Sequence, residues 1–535
     1  MTRGLAVCLV LGALAMRPAM GAAQWKAGAA RISITPRQSL WMAGFGDRTK
    51  PSEGVIIVCV AMALYLVLRF TSNSPVTYSD DVENFKYGST GGEINSGIPY
   101  SVWKALPGIF PEYLPGKYPA GQEYAAFGFL YEDGRDLPVG VSRRRVQGID
   151  RVFFNCAICH VGSVRDTPST PPRHVPGMPS NTVDLRGFYQ FLFNAALDEK
   201  FTPPIVLAEI KRQGIHEDLI NRLILRYYAV GAMQASLVAR YSRLRTILTE
   251  PEFGPGRIDT FSPAKVLLNF RMDKAPESEK IGTTDLPSVW YQRQREGMRL
   301  HWDGNNDLVM ERNRSAAFGT GAYPPTLDRA YLDRIRAYLE DLHPIDYPYP
   351  IDSALAARGE KIYAAMCANC HGRNGKDFHA GEGHLGAVIP IEDIKTDRSR
   401  LDSYTYELAV NQSLLYAGYG DERFSHFRKT YGYAAMPLDG LWLRAPYLHN
   451  GSVPNLHSLL EPAKSRPATF YRGDDVFDPE SVGFTCTVPE RYGHKFFFYD
   501  TKVTGNGNQG HEGKVYGTEL PPPDKKALIE YLKTF

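Results

Sequence analysis

The sequence predicts a mainly α-helical fold of two tandem domains, with long loops and helical insertions. Three observations predict it. The pattern Cys-x-x-Cys-His occurs twice, as Cys156-Ala157-Ile158-Cys159-His160 and Cys367-Ala368-Asn369-Cys370-His371. Each half closes on an amphipathic helical pattern, and Ala337-Tyr338-Leu339-Glu340 and Glu530-Tyr531-Leu532-Lys533 are counterparts. A proline-rich link, His343-Pro344 to Pro350, lies between the halves and puts the boundary near residue 346. A chain of 535 residues is also far longer than one hydrophobic core requires.

From the amino end, two apolar stretches precede these domains. Leu5 to Met16 follows Arg3 and ends in Gly21-Ala22-Ala23, and Val55 to Leu68 follows Arg48 and Lys50. Both have the length of export signals. The second falls short of the roughly 20 residues that span a bilayer comfortably, so it reads as a signal or a tilted anchor. Acting in turn as signal and stop-transfer, the two would leave the domains in the cytoplasm, a topology we reject because covalent haem attachment does not normally occur there. The expected organisation is residues 1–54 as a fused or misassigned fragment, 55–77 as signal or anchor with linker, 78–345 as the first domain and 346–535 as the second.

The cysteines carry the chemistry. Of seven, Cys8 and Cys59 lie in the apolar runs, Cys486 stands alone as an incidental free thiol, and four form the two pairs, so no disulfide framework emerges. Two thiols three residues apart can each add to one vinyl group of a haem, and the next residue's imidazole then reaches the iron. Chance explains this poorly, since one such pentapeptide is expected roughly 0.002 times in a chain of this composition. A zinc site built from both pairs would need a separation of roughly 210 residues, far beyond ordinary zinc spacing. The expected cofactors are therefore two covalently bound haems c, held by Cys156, Cys159, Cys367 and Cys370, with His160 and His371 as iron ligands.

The flanking patterns agree. Ala354 to Ala365, opened by Asp352-Ser353, reads as a helix running into the second motif, and Pro523 to Phe535 as a closing helix with Ala527, Leu528, Tyr531 and Leu532 on one face. That order resembles a cytochrome c. The first half repeats it, with Gly148-Ile-Asp-Arg-Val-Phe-Phe leading into the motif and Leu332 to Leu342 closing. Val206 to Glu250 reads as a helical insertion. The net charge of +3 and 22% charged residues give no reason to expect nucleic acid as partner.

Longer stretches carry a resemblance. They include Val175-Pro-Gly-Met-Pro-Ser-Asn, Pro287-Ser-Val-Trp290, Arg295-Glu-Gly-Met298, His301-Trp-Asp-Gly-Asn305, Glu311-Arg-Asn313-Arg-Ser-Ala-Ala317, Pro437 to Ser452, and Asn506 to His511. From Tyr78 onward the chain resembles the di-haem c-type rubber oxygenases, themselves related to di-haem cytochrome c peroxidases. It departs from them in the longer spacer Glu512 to Val515. Residues 24–54, with Ala30-Arg31-Ile32-Ser33-Ile34-Thr35-Pro36, resemble the start of neutral ceramidase-type domains.

The resemblance implies a first haem with an open face for dioxygen, making His160 the catalytic-centre residue, and a second haem closed by two protein ligands. For the second haem's other ligand His511 is favoured, with Met436 as the alternative and His449 and His494 behind it. His174 is a further candidate at the first haem, although Pro-Pro-Arg-His-Val-Pro reads as an exposed turn, and Met178 is expected to pack on the porphyrin edge. Trp290, Trp302 and Trp442 are candidates for electron exchange, and Arg186, Arg295 and Arg444 for haem propionates. The implied function is electron transfer, in an oxygenase-like oxidoreductase acting on an apolar alkene. A pure electron carrier and a peroxidase are the alternatives. The expected place is the periplasm or outside the cell, tethered or free, with a redox protein, dioxygen or peroxide as partner.

Overall fold

The computed structural model describes residues 54–248, 251–378 and 383–535. The fragment expected over residues 1–54 lies outside the described residues, apart from Gly54. The chain clusters into two compact units, one of residues 1–74 with 145–149 and one of residues 75–144 with 150–535.

In the described part of the first unit, helix α1 (Gly54–Phe70) is an apolar rod. Val58, Val60, Leu64 and Leu68 are all exposed on it. Among the described residues no helix is long and apolar enough to cross a membrane. The tilted anchor expected over residues 55–68 therefore gains no support from the helix that forms there.

The second unit begins with α2 (Asp81–Tyr87), capped by Asp80, whose side chain accepts from the Glu83 amide. Strands β1 (Val141–Val146) and β2 (Ile149–Phe154) then lie side by side, and β2 runs directly into the one-turn helix α3 (Ala157–His160). This corrects two expectations. The fold is mixed rather than mainly α, with short antiparallel strand pairs throughout. The segment entering the first motif is a strand, because Ile149, Val152, Phe153 and Phe154 are β-branched or aromatic. Phe153 and Phe154 bury into an aromatic core with Trp103, Tyr124, Phe127, Phe129 and Phe188. The helix that opens the first domain is α2, set far ahead of its motif by the intervening strands.

Beyond α3, β3 (Val161–Val164) pairs with β4 (Arg173–Pro176), placing Ser163 opposite His174. The insertion follows as α4 (Leu185–Leu197), α5 (Pro203–Arg212), α6 (Leu219–Ile224) and α7 (Val230–Leu244), with a π-helical turn at Leu225–Ala229. Helix α8 (Val309–Gly319) leads to α9 (Arg329–Asp341), which Asp328 caps and which buries Tyr331, Leu332, Ile335 and Leu339 on one face. Phe85 of α2 meets Tyr338 of α9 at 5.6 Å between ring centres, and Arg334 donates to Asp81 at 2.7 Å.

The second half repeats this pairing at closer range. Helix α10 (Ser353–Met366) is capped by Asp352 and buries Ala356, Gly359 and Tyr363. It runs straight into α11 (Ala368–His371) and crosses α12 (Pro522–Leu532), which starts on prolines and buries Ala527, Leu528, Ile529 and Leu532. Gly359 touches the Ala527 carbonyl so closely that no Cβ fits there. The link between the halves is not a free tether. Tyr347 and Tyr349 pack on Trp442 and Phe477, and one core cluster combines Val164, Val175, Met178 and Trp290 with Tyr363, Leu441, Leu443 and Leu528.

The α10–α12 crossing gives a direct test. Gly359→Val forces the helices apart and costs about 2 kcal/mol or more, a fall of about 2 °C or more in the thermal midpoint. Gly418→Ala, where nothing lies within 4 Å, leaves the midpoint in place and serves as control.

Candidate haem-binding sites

The first motif is held by its neighbours. The buried side chain of Asn155 accepts from the Ala157 amide at 2.9 Å and donates to the Lys86 and Gly88 carbonyls at the end of α2. The Cys159 and His160 carbonyls accept from the Ser180 and Gly177 amides. Thiols Cys156 and Cys159 are free, and burial pushes them up to about 11 and about 12. His160 Nδ1 lies 2.9 Å from the Pro287 carbonyl, which can only accept. Nδ1 therefore carries the proton and Nε2 keeps its lone pair for a metal. Burial, with Arg312 nearby, holds this imidazole down to about 4.

The second motif repeats the device. His371 Nδ1 lies 2.7 Å from the Met436 carbonyl, again leaving Nε2 bare. Burial raises the Cys367 and Cys370 thiols. Across from His371 stands His511, the two rings 6.3 Å apart between centres and inclined by 48°. Two metal–nitrogen bonds of about 2 Å, plus about 1 Å from each nitrogen to its ring centre, add up to about 6 Å. The pair therefore fits one iron between two imidazoles. His511 adopts a left-handed backbone, φ 46°, fixed by its amide on the Ile394 carbonyl and by Arg466 donating to the Gly510 and His511 carbonyls. Its Nδ1 is buried without a partner, and burial together with His371 holds the ring down to about 3. Met436 sits on the peptide that holds His371.

The other candidates fall in several places. His174 is not on an exposed turn. The β3–β4 ladder half-buries it, with Nδ1 3.5 Å from Glu132, and this contact is the first cause holding Glu132 down to about 2. His449 is buried, stacks on Tyr433 at 4.1 Å and donates from Nε2 to the Tyr433 hydroxyl, which itself donates to the Asp397 carbonyl. His494 lies in a short strand beside Phe496, and Cys486 is half-buried and free. Met178 is fully buried in the shared core. Trp290, Trp302 and Trp442 donate to the carbonyls of Pro176, Asp285 and Ile345. Arg295 and Arg444 converge on buried Asp439, whereas Arg186 caps the carbonyls of Leu248 and Pro251, apart from both motifs.

Two residues, His301 and Arg312, were given no role by the sequence reading, although both lie in stretches singled out above. Pro287 and Met436, whose carbonyls hold the two histidines, line one small, partly open cleft together with Met298, His301 and Arg312. His301 is half-buried in a left-handed conformation, φ 63°, and gives its Nδ1 proton to Asn305 at 2.7 Å, so Nε2 is bare. Arg312 is 8% exposed, and its Nε and one Nη lack any hydrogen-bond partner. Burial and Arg295 pull its guanidinium down to about 10. A buried cation without a counter-ion is costly. A porphyrin propionate is the kind of anion that would balance it.

Comparison with known proteins places these features in a lineage. The family described as "RoxA-like, cytochrome c-like" matches residues 432–471, and "Cytochrome C oxidase, cbb3-type, subunit III" matches residues 354–438, which contain the second motif. Among curated proteins, the uncharacterized y4iJ of Sinorhizobium fredii is 32% identical over 602 aligned residues, covering 89% of this chain and 97% of its own length. The uncharacterized y4iM of the same organism is 32% identical over 306 residues, 50% of this chain and 68% of the relative.

Burial of neutral histidines makes stability depend on pH. Burial, Arg400 and Arg257 hold His449 well below its ordinary 6.5. The unfolded chain therefore takes up that proton first, and stability falls as pH drops below about 6.5, by up to about 1.4 kcal/mol per pH unit for one such group. Urea midpoints between pH 7.5 and 5 show this slope, and His449→Gln makes it shallower by one proton.

Proposed function

Because the chain belongs to one family with y4iJ and y4iM and contains cytochrome c domains, which bind haem c covalently, we propose that it carries two haems with divided roles. One is joined to Cys156 and Cys159 with His160 as iron ligand, and the other to Cys367 and Cys370 with His371 and His511. The observation that carries this reading is an asymmetry. His371 faces a second imidazole at 6.3 Å, whereas no aromatic or imidazole ring stacks on His160 among the described residues. A haem between two fixed imidazoles suits electron transfer, and a haem with one suits binding of a small oxidant.

Haem, once bound, supplies the redox chemistry. The chain's own residues orient and insulate it. The Pro287 and Met436 carbonyls fix which imidazole nitrogen is free, Asn155 ties the first motif to α2, and Arg312 offers a cation to an anionic group. With the family likeness, these features favour an exported haem-dependent oxidoreductase, oxygenase-like, that uses dioxygen on an apolar substrate and exchanges electrons with a redox protein. A second reading, reduction of peroxide, draws on His301 and Arg312. A bare imidazole beside an unpaired guanidinium can accept a proton and stabilise negative charge.

Electron paramagnetic resonance of the oxidised protein, with and without cyanide, tests the division. One high-spin or cyanide-responsive iron beside one unresponsive low-spin iron is expected. Two unresponsive low-spin irons, in both oxidised and half-reduced protein, would leave only an electron carrier. His511→Ala converts the low-spin signal to a ligand-accessible one while pyridine haemochrome still counts two haems, and Met436→Ala leaves spin states unchanged. In a redox titration, Arg312→Gln lowers one midpoint potential, because a nearby cation stabilises the reduced centre, while Arg312→Lys restores most of it.

A further inference from the structure

The helical insertion carries a face that neither motif uses. Between α6 and α7 the π-helical turn Leu225–Ala229 has buried Leu225 and Val230 at its two ends. The wide turn leaves one more residue outside than an α-turn would. Tyr227 and Tyr228 accordingly both face solvent, 75% and 52% exposed. Leu219 and Leu223, two turns and one turn earlier, are 63% and 46% exposed, so Leu219, Leu223 and Tyr227 form one apolar ridge.

Arginines interleave with the ridge. Arg222 and Arg226 are exposed on it and make no ion pair or side-chain hydrogen bond among the described residues, and the Arg226 guanidinium lies 5.6 Å over the Tyr227 ring. From residue 219 to 248 there are five arginines and no aspartate or glutamate. Arg240 and Arg243 are occupied by the protein itself, on Ser96 and on Val266, Leu267 and Asn269. The acids just before the segment are occupied too, Asp218 capping α6 and Glu217 accepting from Asn221. The positive charge of Arg222 and Arg226 is therefore left for something outside the chain.

We propose that Leu219–Tyr228 is a peripheral docking surface for a membrane rich in anionic phospholipid. Leucines alternating with unpaired arginines match a layer that is anionic at its surface and apolar just beneath. The leucines enter, the tyrosines sit at the boundary, and the arginines reach up to phosphate. Another exposed apolar stretch, on α1, is likewise not long and apolar enough to cross a bilayer. This inference is independent of what the haem sites do.

The test is flotation of the full-length, haem-loaded protein with vesicles of phosphatidylglycerol and phosphatidylcholine, or of phosphatidylcholine alone. Wild type should float with the anionic vesicles and lose binding at high salt. Leu223→Glu/Tyr227→Glu should reduce the floated fraction at least about tenfold. Arg222→Glu/Arg226→Glu, at exposed positions, should abolish the preference for anionic lipid. Haem content and circular dichroism verify that each variant is folded. Equal flotation with neutral vesicles, no flotation of wild type, or unchanged flotation of both variants overturns the proposal. So does a concentration-dependent dimer, seen by sedimentation without vesicles, that Leu223→Glu/Tyr227→Glu dissolves.

Discussion

One kind of hydrogen bond organises both centres: a motif histidine giving its Nδ1 proton to a backbone carbonyl, His160 to Pro287 and His371 to Met436. A free imidazole can carry its proton on either nitrogen and rotate about two bonds. Fixing Nδ1–H removes both freedoms and aims Nε2 in one direction. The acceptors are backbone atoms on segments far along the chain from the motifs they serve. Each centre therefore exists only when the domain around it has folded, and the same carbonyl-bearing segments wall one cleft, so the two are mechanically linked.

That linkage explains why the two halves behave as one body. A core running from Val175 and Trp290 to Leu441 and Leu528 crosses the proline-rich link, and Tyr347 and Tyr349 nail the link onto it. Buried charge follows the same seam. Arg295 and Arg444, from different halves, share the buried carboxylate of Asp439. Such pairs add little net stability, because desolvation offsets attraction, yet breaking one partner is severe. Here they join residues from the two halves at one buried carboxylate.

The sequence was most readable where a local rule sufficed. Helices α9 and α10 begin on Asp328 and Asp352, whose carboxylates cap the first turn, and their apolar spacing follows one face. The two motifs are contiguous and chemically specific. Reading failed where partners are distant. The helix that opens the first half lies at residues 81–87, and the stretch beside the motif that resembled it is a strand, because its β-branched and aromatic residues meet an aromatic core assembled from far along the chain. Arg312 and His301 were hidden for another reason. Arginine is normally a surface residue, and nothing local marks one that is buried without a counter-ion.

The two centres also spend their strain differently. At the second, His511 is held in a left-handed conformation that histidine adopts only under constraint, with Arg466 and the Ile394 carbonyl supplying that constraint. His371 and His511 would hold an iron between two fixed imidazoles, and such a centre would need little reorganisation for electron transfer. The cleft adds a buried guanidinium, Arg312, and an imidazole, His301, that is likewise left-handed and bare at Nε2. Groups of that kind do nothing for an electron passing through, but they bind anions and handle protons. Reactions of dioxygen and peroxide need both functions. On the division of roles proposed above, this cation and imidazole would suit the first centre to a small oxidant, as the facing imidazoles would suit the second to electron transfer.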